Sequence, residues 1–172
     1  STAAAPVVIK LSNANTTSPT VVVTGSVVTS SNNTIAASTN ISSIDIDPAN
    51  ANHILVTVSN FGVTSVFEST NGGASYTSIE GNLPDMPVRW GIFAPANAEL
   101  NGPGGGTGGI ILATELGIWT SSQINGASTN WIPNNNGLAN VRVDMLRYRS
   151  SDNMLAAATH GRGLYTTTIP TT

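Results

Sequence analysis

Asp45 and Asp47 stand two residues apart, the first side chains along the chain whose spacing suits chemistry. On an extended strand such a pair points to one side about 7 Å apart, compatible with the paired carboxylates of glycoside hydrolysis. The local sequence favours another use. Asp47 opens the run Asp47-Pro48-Ala49-Asn50, a turn pattern in which the carboxylate accepts nearby backbone amides. His53 and His160 show no ligand spacing, so no metal site is expected. The chain has no Cys, which excludes a disulfide framework, a thiolate site and a cysteine nucleophile. The run from Gly102 to Gly109 lacks the Lys-Ser/Thr that follows a phosphate loop, and it reads as a flexible loop. No catalytic residue and no cofactor are expected.

Binding candidates are Trp90, Glu115, Trp119, His160 and Arg162. His160 and Arg162 lie in a hairpin whose Gly161 and Gly163 make a tight turn. There Arg162 is expected to bond neighbouring carbonyls or to pair with an acid such as Glu115, a structural role favoured over ligand binding. Trp90, Trp119 and Trp131 could stack on sugar rings. Each falls at a repeat-equivalent strand position, which makes packing the default. Asn15-Thr16-Thr17, Asn32-Asn33-Thr34 and Asn40-Ile41-Ser42 match the glycosylation acceptor pattern, of consequence only in a eukaryotic host or with a dedicated bacterial pathway.

The elements that must position these residues are strands. Helix periodicity is almost absent, and 17 Gly and 9 Pro punctuate short β-branched runs. The runs repeat. Ile44 to Asn50 recurs loosely as Trp90 to Asn97 and again as Met145 to Asn153. Each copy is followed by a second apolar run (His53 to Val58, Ile110 to Thr114, Met154 to Thr159) and a third (Thr64 to Ser69, Gly117 to Ser121, Gly163 to Thr168). The second runs start 57 and then 44 residues apart. Treating Glu99 to Gly109 as a loop insertion brings both intervals to about 45 residues, the period of a four-stranded propeller blade. Fourth strands are read at Ser75 to Ile79 and Thr129 to Ile132, with none in the last unit.

The expected fold is therefore all-β: about three β-propeller blades of antiparallel four-stranded sheets, the last incomplete, within a larger propeller or assembly. The units are 41–86, 87–140 with the Gly-rich insertion 99–109, and 141–172. Residues 1–40 carry strand-like runs, Pro6 to Leu11 and Thr20 to Thr29, then a polar stretch, Ser30 to Asn33. This segment reads equally as the outer part of a preceding blade or as a donated strand.

The string Ser69-Thr70-Asn71-Gly72-Gly73-Ala74-Ser75-Tyr76 resembles an Asp-box, the Ser-x-Asp-x-Gly-x-x-Trp hairpin of bacterial-neuraminidase-type (BNR) repeats. Asn71 replaces the Asp and Tyr76 the Trp. The carboxamide still accepts turn amides, Gly73 still takes a positive φ, and the ring still packs between blades. A looser version runs from Thr120 to Trp131, with Asn125-Gly126 at the turn. Ala113 to Trp119 and Ala158 to Tyr165 resemble the inner hairpins of sortilin-like and xyloglucanase-like propellers, the second like one that closes a final blade. The resemblance covers Ile41 to Thr168 and implies the last blades of a large secreted bacterial propeller protein. The two separated aspartates of the xyloglucanase type need a full propeller, and the sialidase set of three arginines, a tyrosine and a glutamate finds no match here.

Composition narrows the partners. Six Lys+Arg against nine Asp+Glu leave a net charge of -3 over 172 residues and no electrostatic footprint for nucleic acid. No apolar stretch is long enough to span a membrane. Polarity comes instead from Ser, Thr and Asn, roughly a third of the chain, a composition typical of extracellular bacterial surface proteins. The chain starts at Ser1, so it is expected to follow a leader or a processing site, and a secreted or cell-surface location is expected. A blade buries both faces against neighbours, so three of them call for other chains or copies of this chain as partners, with carbohydrate as a further candidate. The expected function is a non-catalytic propeller module for binding or structural assembly. The alternatives are a fragment of a propeller glycoside hydrolase and the subunit of a self-assembling extracellular filament.

Overall fold

The computed structural model describes residues 6–26, 39–102 and 108–172. Strands β1 (Val7–Ser12) and β2 (Thr20–Ser26) form an antiparallel hairpin. A first sheet holds β3 (Ile41–Ile46), β4 (Ile54–Val58), β5 (Val66–Ser69) and β6 (Thr77–Ser78). A second holds β7 (Val88–Phe93), β8 (Ile110–Thr114), β9 (Gly117–Ser121) and β10 (Ile132–Pro133). A third holds β11 (Val143–Arg149), β12 (Met154–Thr159) and β13 (Gly163–Thr168). In every sheet, strands adjacent in sequence are adjacent in space and antiparallel, and none of the sheets closes on itself among the described residues. The protein is all-β, as the punctuated β-branched runs predict.

The second and third apolar runs of each copy lie on the second and third strands of a sheet, with small shifts. The fourth strands are two residues each, and that of the second sheet begins at Ile132, later than the Thr129 to Ile132 run predicts. Trp131 precedes that strand. The continuation of β2 past Ser26 and the polar stretch Ser30 to Asn33 fall outside the described residues. Of the insertion, 103–107 fall outside them too. Its flanks are anchored, with Ala94 N donating to Gly109 O at 2.9 Å and Gly108 N to Ala98 O at 2.9 Å.

Strands β4 and β8 are buried at every position, because each is apolar on both faces. Alternation sends one set of side chains to each side. Leu55 of β4 meets Leu112 and Ile110 of β8, with Val66, Ile79 and Trp131 around them. The opposite set, Ile54, Val56 and Val58, packs with Phe67, Tyr76 and the hairpin residue Val8. Ile111 and Ala113 face Leu155 and Ala157 of β12 in a third cluster. The sheets thus stack face to face in chain order, with the hairpin against the first. Ile169, 3% exposed, enters the last cluster from beyond β13, and its neighbours tie back through Glu99 N to Pro170 O at 2.8 Å and Thr172 N to Asn97 O at 3.1 Å.

Polar side chains of β3 align the first two sheets at their inner strands. Ser43 Oγ accepts from Gly91 N at 2.9 Å and Asp45 Oδ2 from Phe93 N at 2.8 Å. Gly91 is required by this approach, since a Cβ there would lie 2.8 Å from the Leu55 side chain and 2.9 Å from that of Thr57. At the outer end, Trp131 closes the same gap. Its Nε1 donates to Ile79 O at 2.9 Å, its backbone N donates to Asn82 Oδ1 at 2.6 Å, and Asn82 Nδ2 returns a bond to Trp131 O at 3.1 Å. Trp131→Ala is expected to cost about 3–5 kcal/mol of stability through the cavity it opens. Trp131→Phe, which mainly forfeits one hydrogen bond, is expected to cost far less; urea denaturation of both variants checks the ranking.

Candidate functional site

The hairpin between β5 and β6 is built by its own short side chains. Ser69 Oγ donates to Asn71 Oδ1 at 2.9 Å and accepts from Gly73 N at 2.9 Å. Asn71 Oδ1 also accepts from Ser75 N at 2.9 Å, and Asn71 Nδ2 donates to Ser75 Oγ at 2.8 Å. Gly73 has φ +89°, the left-handed region that the turn requires. Tyr76 follows and is buried against Val8, Val56 and Phe67. In the second sheet the turn at Asn125-Gly126 leads into a short 3-10 segment, Gly126–Ser128, stapled by Thr129 Oγ1, which accepts from Asn125 N and donates to Gly126 O.

Charged side chains gather where the first strand of a sheet begins beside the turn joining its second and third strands. Arg89 Nε donates to Glu115 Oε1 at 2.8 Å, and Arg89 Nη2 reaches the same oxygen. Arg142 Nε donates to Asp144 Oδ1 at 2.6 Å, and His160 Nδ1 lies 3.5 Å from Asp144 Oδ2. Partial burial raises the Asp144 pKa, but the bond and charge of Arg142, helped by His160, outweigh it and hold the carboxyl below its ordinary value. Glu115 is thus held by Arg89, while Arg162, for which Glu115 was one of the expected partners, is exposed.

The five binding candidates do not converge. Trp90 packs against the cluster between the second and third sheets, and Trp119 against that between the first and second. Their positions in register put them on opposite faces of the second sheet, and Trp131 is 1% exposed, so the three indoles form no row. Asp45 and Asp47 are likewise engaged. Asp45 serves the inter-sheet bond to Phe93 N, while Asp47 Oδ1 accepts from Ala49 N at 2.8 Å in the turn it opens.

One grouping was missed by sequence reasoning. His53 sits between two carboxylates, with Nδ1 3.2 Å from Asp47 Oδ2 and Nε2 3.0 Å from Glu68 Oε2, its ring tilted against Phe93 at 4.5 Å. Only the β4–β5 pairing, which sets Leu55 opposite Glu68 and Ile54 opposite Ser69, brings residues so distant in sequence together. Both ring nitrogens are occupied, so the imidazole ties a turn to a neighbouring strand and has none left for a substrate. Among the described residues no group of three or more His, Cys, Asp or Glu is placed to hold a metal ion.

Among the described residues a cleft of about 470 Å³ lies between the second and third sheets. Its apolar side includes Ile118, Leu138 and Leu155, and its polar side Thr120, Asn134 and Tyr165. It lies in the gap that, elsewhere in the stack, receives the aromatic ring just before a fourth strand: Tyr76 against the hairpin, Trp131 against the first sheet. The third sheet has no fourth strand among the described residues, and beyond its third strand Ile169 enters the cluster. None of the five binding candidates lines this cleft. Such a space accepts an apolar side chain or a flat ring, with amide and hydroxyl groups at its margin.

No protein-family model matches the chain, and no curated protein or solved structure matches it either. The fold among the described residues defines an all-β protein of antiparallel sheets of four, four and three strands with a two-stranded hairpin.

Burial raises the Asp45 pKa above its ordinary value, an effect only partly offset by the Phe93 and Ile46 amides. A raised carboxyl contributes stability that is complete below its unfolded pKa, about 3.9, and is lost as pH rises through the folded value. Asp45→Asn keeps an oxygen for the Phe93 amide and removes the charge. Its stability relative to the native chain is therefore expected to increase as pH rises from about 3 to about 7. Denaturant midpoints measured across that range check the slope; a difference that falls with pH contradicts it.

Proposed function

We propose that this chain is a non-catalytic β-propeller module, secreted or displayed at a cell surface, that works by binding or by structural assembly. The observation that carries the reading is the repeated gap. Three antiparallel units use equivalent positions to pack on the preceding element, and in two of them an aromatic after an Asn-containing turn fills that gap. The bonds among Ser69, Asn71, Gly73 and Ser75 support reading this hairpin as an Asp-box with Asn in the place of Asp. Fold alone does not settle activity, since propellers serve enzymes, receptors and scaffolds. Support for a non-catalytic role comes from the carboxylates. Asp45 is committed to a backbone amide of the next sheet, Asp47 to its own turn, and Glu115 to Arg89. The low charge and the abundance of Ser, Thr and Asn support an extracellular setting.

Incubating the purified chain with β-glucans and sialosides is expected to release no product. Turnover that disappears in Asp45→Ala or Asp47→Ala would instead make the chain a piece of a glycoside hydrolase.

A further inference from the structure

The stack has two unlike ends, and each lacks what the other carries. At the first end, Ile44 and Ile46 share a face with Val56 and Ile54, their partners in register. Val8 of the hairpin joins the cluster over β4, β5 and Tyr76, leaving Ile44 and Ile46 49% and 54% exposed on β3. The equivalent inner-strand positions, Gly91 and Phe93 in β7, are buried by the first sheet. The hairpin therefore covers the outer half of this face and leaves the inner half open.

The last end is the converse. The row Met145, Ala158 and Leu164 crosses β11, β12 and β13 on the face turned away from the second sheet. Its counterpart in the second sheet, Trp90, Ala113 and Ile118, packs in the gap to the third. Leu164 is 68% exposed where Ile118 is 9% exposed. Three strands are in place, the outer edge of β13 is unpaired among the described residues, and the cleft opens beside it. A free strand edge beside an apolar slot is a template for strand addition.

The hairpin also has a second apolar face. Val7, Ile9 and Leu11 alternate with Val8 and Lys10 along β1, Val21 stands opposite Leu11, and all four are about half exposed. We propose that the β13 edge and the cleft receive the β1–β2 hairpin of a second copy of this chain. In that arrangement Val8 still faces its own first sheet, while Ile9 and Leu11 enter the neighbour's cleft as Tyr76 and Trp131 enter the gaps before it. The neighbour's Met145 and Leu164 cover Ile44 and Ile46, so the contact continues the inter-sheet packing of the single chain. Arg147 shares the Met145 face, but β11 is an edge strand, so its long stem can lie on the contact with the guanidinium in water. A net charge of -3 opposes such self-association weakly. Joining unlike surfaces, the contact propagates into a ring or an open filament.

This inference names the partner in the assembly reading above and rests on it, yet the two fail separately: glycan turnover tests that reading, and particle size tests this one. Mass photometry and electron microscopy of the full chain are expected to show multimers. The double variant Ile9→Lys/Leu11→Lys damages only the hairpin end, and Leu164→Arg only the third-sheet end. Each alone is expected to reduce the multimers to single chains with an unchanged circular dichroism spectrum. Mixed together, the two variants still have one sound hairpin and one sound cleft between them and are expected to form one-to-one dimers that grow no further. Should the hairpin variant misfold, Leu164→Arg chains added to native ones are expected to stop growth and shorten the assemblies. A native chain that is monomeric at all concentrations, multimers indifferent to both substitutions, or a mixture that stays monomeric overturns the proposal.

Discussion

A strand that is apolar on both faces has to be covered on both, and most of this structure follows from that constraint. Strands β4 and β8 meet it by lying between neighbours. The covering is cooperative. Leu55 is buried because Leu112 and Trp131 stand against it, and Ile111 because Leu155 and Ala157 do. No sheet is a self-sufficient folding unit, since one layer cannot enclose a core. Stability therefore resides in the gaps between layers, and covering is partial at the ends of the stack.

Polar groups in the gaps set alignment more than strength. Ser42, Ser43 and Asp45 on β3 each bond a backbone group of β7: Ser42 donates to Val88 O at 2.6 Å, and the others accept from Gly91 and Phe93. Sliding one sheet along its neighbour would break all three, whereas apolar contacts tolerate small shifts. The acid in this set carries a raised pKa, the electrostatic consequence of placing a carboxylate in a half-buried seam. The remaining charges sit mostly at the sheet rims in short-range pairs. With only 9% of residues charged, the faces that pack against one another are left mostly to apolar side chains.

Local signals were legible. Positive φ at Gly73 followed from the turn chemistry around Asn71, the Asp47 turn from Asp-Pro, and the antiparallel meanders from runs separated by Gly, Pro and Asn. Each rests on contacts a few residues apart, where side-chain type nearly dictates geometry. Side-chain partners brought together by the strand pairing within a sheet were not legible. Glu115 pairs with Arg89 rather than Arg162, and His53 finds Asp47 and Glu68 on either side, because such partners depend on register and on which rim a turn occupies.

The amino-acid order by itself determined that this is an all-β chain of antiparallel strands, where its turns fall, and that it carries few charges. Those properties follow from period-two patterning, turn residues and composition, all read within one segment at a time. Tertiary structure alone decided that Trp131 seals a gap, that Trp90 and Trp119 face opposite ways, and that the third unit borders an open cleft. Which face of a strand is covered depends on the layer set against it, and that layer lies tens of residues away along the chain.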